Sequence, residues 1–203
     1  MTEQETFHFQ EDTHTYTLGG ERLLSVTEVL EDAEFIDTRW YPKEAGIRGK
    51  RVHLLCQYDD EGFYADGEAK RFGLEGYLES WRKFKKGASP KFLEIEKPRY
   101  HPTHRYAGTP DRLAIWKNRH AILDLKSGPP EFWHGYQTGG YEKIYEAAMS
   151  GIGQFYRFGI HLQKDGSAPN VALHDDSTDG DYFLAFLATT RQRRKHGIDR
   201  RRA

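Results

Sequence analysis

The sequence predicts an α/β fold, a central mixed sheet with flanking helices. Two observations predict it. Two apolar runs, Leu113-Ala114-Ile115-Trp116 and Ala121-Ile122-Leu123, flank the polar pair Lys117-Asn118, which reads as a two-residue hairpin turn. Both faces of that hairpin carry apolar side chains, so both faces need cover. The fold is expected to be built on strands between 92 and 125 and a helix over 131 to 149, with helices flanking the sheet.

In chain order, Phe7-His8-Phe9 and His14 to Leu18 alternate polar and apolar, giving an N-terminal hairpin within residues 1–24 that ends at Gly19-Gly20. Ser25 and Glu28 form a capping box ahead of Val29 and Leu30, so a short helix starts there. Trp40-Tyr41-Pro42 interrupts the chain, and Arg48 to Leu55 reads as the next helix. Residues 67 to 86 form the clearest helix. Leu74, Tyr77, Leu78, Trp81 and Phe84 recur at spacings of three and four, a core stripe. Lys83, Lys85 and Lys86 suit its C-terminus, and Gly87 and Pro90 stop it. Phe92 to Glu96 is a strand, with Glu94 and Glu96 on one face. Ser127 to Pro130 is a hard break before the 131–149 helix, in which Gly139-Gly140 costs stability. Strands over 154–163 and 171–173 and a final helix over 181–195 complete the chain, with Phe183, Leu184, Phe186 and Leu187 facing inward.

The 203 residues suit one domain, 1–203, with a substantial core. No apolar run approaches the roughly 20 residues of a membrane helix, and the polar, acidic start is unlike a signal peptide. Cys56 is the only cysteine. It excludes an intrachain disulfide and an all-protein iron–sulfur cluster, and it fits a reducing cytoplasm. Nothing around Cys56 suggests a nucleophile, so it reads as a structural thiol. Net charge is −1, but the segment 191–203 is a basic tail. Arg191, Arg193 and Arg194 there read either as phosphate contacts or as the solvated cationic end of a helix.

The hairpin carries the chemistry. With Lys117-Asn118 as its loop, residue 116 pairs with 119 and Asp111 lies across from Asp124. Directly opposed strand residues have Cβ atoms about 4.5–5.5 Å apart. Two carboxylates so placed in an apolar sheet repel each other unless a cation bridges them. Lys126, two residues beyond Asp124, projects from the same face. Two acids and a lysine on one face suit a hard divalent metal and a phosphate. Gln137 and Tyr141, four apart, share a helical face. His101 and His104 are spaced as in many loops and give only weak support for a metal site.

Asp111, Asp124-Leu125-Lys126, and Gln137 with Tyr141 together resemble the PD-(D/E)XK nuclease superfamily. The wording Tyr106-Ala107-Gly108-Thr109-Pro110-Asp111 is similar to its RecB-like, phage-type exonuclease branch. The resemblance spans about Ser25 to Ile160, and it implies a restriction-endonuclease-like core. Arg48-Gly49-x-x-Val52-His53 matches a segment whose histidine is a metal ligand in that branch, so His53 is implied as a ligand. The resemblance further implies one or two magnesium or manganese ions on Asp111 and Asp124, with the Leu125 backbone carbonyl and Glu96 as further ligands, Glu94 being the alternative. It implies Lys126 as the residue that positions water or stabilises the transition state, and Gln137 and Tyr141 as phosphate contacts. Arg112 alternates to the opposite strand face and is left out of the site.

The implied function is metal-dependent hydrolysis of DNA, most specifically exonucleolytic resection in recombination and repair, in a bacterial or phage-infected cytoplasm. A recombination or annealing protein is the implied partner, with no membrane and with oligomeric state open. The rivals are a structure-specific or restriction-type endonuclease, a non-catalytic DNA-binding module of the same fold, and a hydrolase of small phosphates.

Overall fold

A computed structural model describes residues 5–36, 43–149 and 151–198. The Trp40-Tyr41-Pro42 break and the arginines at 200–202 of the expected basic tail lie outside them. The architecture among the described residues is mixed α/β with two five-stranded sheets rather than one. Six helices among the described residues flank them.

The first sheet begins with the expected hairpin, β1 (Phe7–Gln10) and β2 (Thr15–Leu18). Gly19 and Gly20, both at positive φ, then turn the chain into a further strand, β3 (Glu21–Ser25). That strand lacks alternation, which hid it from the periodicity reading. It runs parallel to β6 (Tyr106–Gly108), which pairs with β5 (Arg99–His101). Ser25 then caps α1 (Val26–Asp32) through the expected capping box with Glu28.

The second sheet is organised by β7 (Arg112–Trp116) and β8 (Arg119–Lys126). Trp116 pairs with Arg119 and Arg112 with Leu123, the expected register. Lys117 (φ 53°) and Asn118 (φ 61°) are both left-handed, as a two-residue turn matched to strand twist requires. β4 (Lys91–Ile95) lies antiparallel on the outer side of β7, with a bulge between Phe92 and Glu94. On the other side β8 runs parallel to β9 (Tyr156–His161), which pairs with β10 (Asn170–Leu173).

Strand alternation divides the core. Ala114, Ala121, Leu123, Leu125, Phe158 and Ile160 face α2 (Lys43–Asp60), α3 (Asp66–Phe72) and α4 (Glu75–Ala88). Leu113 and Ile122 face α1, α5 (His134–Ala148) and α6 (Asp179–Lys195). The helix expected over 67–86 is two helices. Gly73, left-handed at φ 65°, caps α3, and α4 carries the Leu74-to-Phe84 core stripe. Cys56 is fully buried in this core, and burial pushes its thiol pKa up. No helix among the described residues is long and apolar enough to cross a membrane.

The glycines of α5 serve helix packing. A Cβ on Gly139 would lie 2.7 Å from the Gly180 amide nitrogen, and one on Gly140 would lie 3.1 Å from the Phe183 ring. Gly139→Ala is therefore expected to force α5 from α6 and cost about 1–3 kcal/mol. Gly87→Ala, in α4 with nothing within 4 Å of its Cβ, is expected to stabilise by about 0.5–1 kcal/mol. Urea unfolding of the two variants checks both signs.

Candidate active site

The loop before β7 sets up the site. Gly108 lies so close to α5 that an added Cβ would meet the Tyr141 ring at 2.7 Å. Thr109 Oγ1 is hydrogen-bonded to the hydroxyl of buried Tyr16 at 2.8 Å, tying the loop to the first sheet. Asp111 then stands just ahead of β7, with its backbone carbonyl accepting from the Glu96 amide (2.9 Å) and from Arg112 Nη1 (2.6 Å).

Its carboxylate is shared between two elements. Oδ2 accepts the Leu125 amide of β8 at 2.5 Å, and Oδ1 lies 3.2 Å from His53 Nδ1 of α2. Leu125 thus joins the acids through its amide. Glu96 Oε1 lies 3.7 Å from the same His53 nitrogen, and ligand atoms of His53, Glu96 and Asp111 all fall within 4.8 Å of one another. Asp124 is outside that trio. Its Oδ2 lies 2.6 Å from Lys126 Nζ, and Lys126 also donates to Gln137 Oε1 at 2.8 Å. Gln137 Nε2 in turn donates to the Tyr141 hydroxyl at 3.2 Å. The structure therefore forms two sets, His53, Glu96 and Asp111, and Asp124, Lys126, Gln137 and Tyr141, linked by the Leu125 amide that donates to Asp111.

Burial disfavours charge on both aspartates, and their neighbours decide the outcome. Burial raises Asp124, the Lys126 ammonium opposes this and Asp111 adds to it, leaving the carboxyl near a pKa of about 6. Burial also acts on Asp111, but His53, Lys126 and the Leu125 amide outweigh it and hold that carboxyl below its usual range. His53 is driven the other way. Burial lowers it, and Asp111 and Glu96 overcome this and raise it to about 10. Burial holds the Tyr141 hydroxyl well above its ordinary pKa, so it stays a neutral donor.

The group fits a divalent cation. The trio offers one imidazole nitrogen and two carboxylate oxygens within a single coordination span. Asp124, outside the trio, has its buried Oδ2 ion-paired to the Lys126 ammonium at 2.6 Å and is a further carboxylate on the same sheet face.

Three placements differ from the sequence reading. Glu94 and Glu96 do not share a face. The bulge in β4 and a left-handed Glu96 (φ 44°) turn Glu96 to His53, while Glu94 pairs with Arg99 and Tyr145. Arg112 does alternate to the far face, yet its guanidinium reaches Glu96 at 3.1 Å and Asp60 at 2.7 Å. It supports a site residue from behind. A charged residue at the head of a strand covered on both faces is the signal that pointed to such a buried partner. Arg191, Arg193 and Arg194 turn into the molecule, onto the carbonyls of residues 104, 105 and 32 and the carboxylate of Asp32. His101 accepts the His104 amide through Nδ1, closing the loop between β5 and β6.

The Arg112–Asp60 pair is fully buried, so Arg112→Ala strips Asp60 Oδ2 of its partner, with Lys85 and Trp81 left on Oδ1, and is expected to cost about 3 kcal/mol in thermal or urea unfolding, the low end for breaking a buried pair. Asp124→Asn removes a carboxylate that burial disfavours, and it is expected to raise the melting temperature of the metal-free protein. An added divalent metal is expected to raise the melting temperature of the wild type and not that of the variant, a contrast that scanning calorimetry reads directly.

No protein-family model matches this chain, and no curated protein matches it. Among solved structures it is similar to the "Putative exonuclease" of Eubacterium rectale, at 12% identity and TM-score 0.44, over 84% of this chain and 79% of that one. It is also similar to an alkaline exonuclease of Laribacter hongkongensis, at 15% identity and TM-score 0.34, over 87% and 93%. The complex of that exonuclease with dAMP matches at 18% identity and TM-score 0.34, over 87% and 94%.

Proposed function

We propose that this chain is a metal-dependent deoxyribonuclease, an exonuclease of the RecB-like, phage type that acts on DNA ends in recombination and repair. One observation carries the reading. Asp111 and the Asp124-x-Lys126 pair, from facing strands, converge with His53 and Glu96 beside the linked Gln137 and Tyr141.

His53, Glu96, Asp111 and Asp124 would hold magnesium or manganese, with the Leu125 carbonyl as a further ligand. The ion supplies Lewis acidity toward water and toward the phosphate oxygens. The remaining work falls to this chain's side chains. Lys126, held between Asp124 and Gln137, presents a cation to the charge that develops on the phosphate. Gln137 and Tyr141 offer an amide and a neutral hydroxyl as phosphate donors. These groups satisfy one another in the free protein, and a phosphate would compete for the same hydrogen bonds. The product of end resection is a single strand, which a recombination or annealing protein would take up.

The preference for ends rests on the phage-type wording from Tyr106 to Asp111, and the substrate tests it. In magnesium or manganese, linear DNA is expected to be degraded while closed circular DNA stays intact. Lys126→Ala is expected to slow the reaction by about 100-fold or more. Cutting of the closed circle would instead establish an endonuclease. Binding without cleavage in either metal would leave a non-catalytic module.

A further inference from the structure

Trp133 enters α5 with helical backbone angles (φ −72°, ψ −10°), and its indole packs in part against the core formed with α1 and α6. Trp133, Gln137 and Tyr141 fall at intervals of four and share one face of α5. The Lys126 ammonium lies 5.6 Å from the Trp133 ring centroid. The indole is only half-buried, so part of its surface stays open beside the lysine that faces the phosphate.

We propose that the Trp133 indole is a stacking face for an unpaired nucleobase, seated beside the phosphate that Lys126, Gln137 and Tyr141 hold. The inference rests on the nuclease reading above and specifies its substrate. The cation takes the phosphate and the adjacent π-face takes the base, the combination by which proteins grip single-stranded nucleic acid. A base inside a duplex has both faces covered by its neighbours, and a paired terminal base turns only its outer face along the helix axis, so an indole seated beside the backbone phosphate is reached by a base that has left its pair, at a frayed, mismatched or single-stranded end. Trp133 is thus a positioning residue for the end of the strand.

The test uses the full chain and short duplexes with one variable end: fully paired, mismatched, or mismatched with the terminal base removed. Binding is measured by anisotropy with calcium replacing magnesium, so that no cleavage is needed, and cleavage is then measured in magnesium. The wild type is expected to bind the mismatched end more tightly than the paired one. Trp133→Ala is expected to lose about ten-fold on the mismatched end, the effect of one stacked base, while Trp133→Phe keeps most of the affinity. Removal of the base is expected to reproduce the Trp133→Ala loss in the wild type, which guards against a misfolded variant. In cleavage, Trp133→Ala is expected to raise KM with kcat little changed. Equal wild-type binding to base-bearing and abasic ends would overturn the role of Trp133 and leave the nuclease reading standing. Stacking-dependent binding without cleavage would do the reverse, and absence of DNA binding by the wild type would overturn both.

Discussion

Two carboxylates on facing strand positions, inside a sheet covered on both sides, form the constraint on which the rest of this structure depends. Asp111 and Asp124 are both buried. Neither could stay charged there alone, since burial penalises the ion and each disfavours the other. The fold answers by bringing positive or donor groups from separate elements. α2 supplies His53, β8 supplies the Leu125 amide, and Lys126 folds back onto Asp124. These contacts do not offset the repulsion in full. Asp124, even with the Lys126 ammonium against it, keeps a raised pKa. Incomplete compensation is what a cation-binding site requires, because a fully satisfied pair has nothing to offer an ion.

The side chains of α5 matter only if that helix is fixed against the sheet, and a buried arginine fixes it. Arg157, on β9, places Nε 2.9 Å from Glu142, and Nη1 donates to Asp179 and to the Gly135 carbonyl. It thereby clamps α5 and α6 together from the sheet side. The glycine contacts between the two helices let them come close enough for that clamp to work. Tyr106 adds a hydrogen bond to the Gly140 carbonyl. Gln137 and Tyr141 are therefore held by packing behind them and by Gly108 in front.

The legible parts of the sequence were those decided by local chemistry. The Lys117-Asn118 turn set the β7–β8 register, and with it the meeting of Asp111 and Asp124. The Ser25–Glu28 capping box fixed the start of α1. Where a distant partner or a backbone irregularity decides, the sequence is silent. A bulge and a positive φ separated Glu94 from Glu96, and alternation assumes neither. Gly139 and Gly140 read as a weak point in a helix because α6, their reason, lies some 40 residues on. The arginines of the last helix read as a basic tail because charge counting gives no direction. Three of them point inward, to backbone carbonyls and Asp32.

The hairpin also explains how the site is supported from the opposite face of the sheet. Alternation sends Asp111, Asp124 and Lys126 to the α5 face and Arg112 to the face of α2 and α4. Arg112 meets Asp60 there, fully buried, at the end of the helix that also carries His53. It then reaches Glu96, whose backbone is left-handed, a conformation that costs a residue with a Cβ about 1–2 kcal/mol. Such strain persists only where the surroundings over-determine it. Two contacts do so here, the amide bond to the Asp111 carbonyl and the Arg112 ion pair. Release of either would let Glu96 relax toward ordinary strand geometry and away from His53. The position of one acid in the site is thus set by an arginine on the opposite face of the sheet. The two cores meet at this point, and the chemistry of one is aligned by the packing of the other.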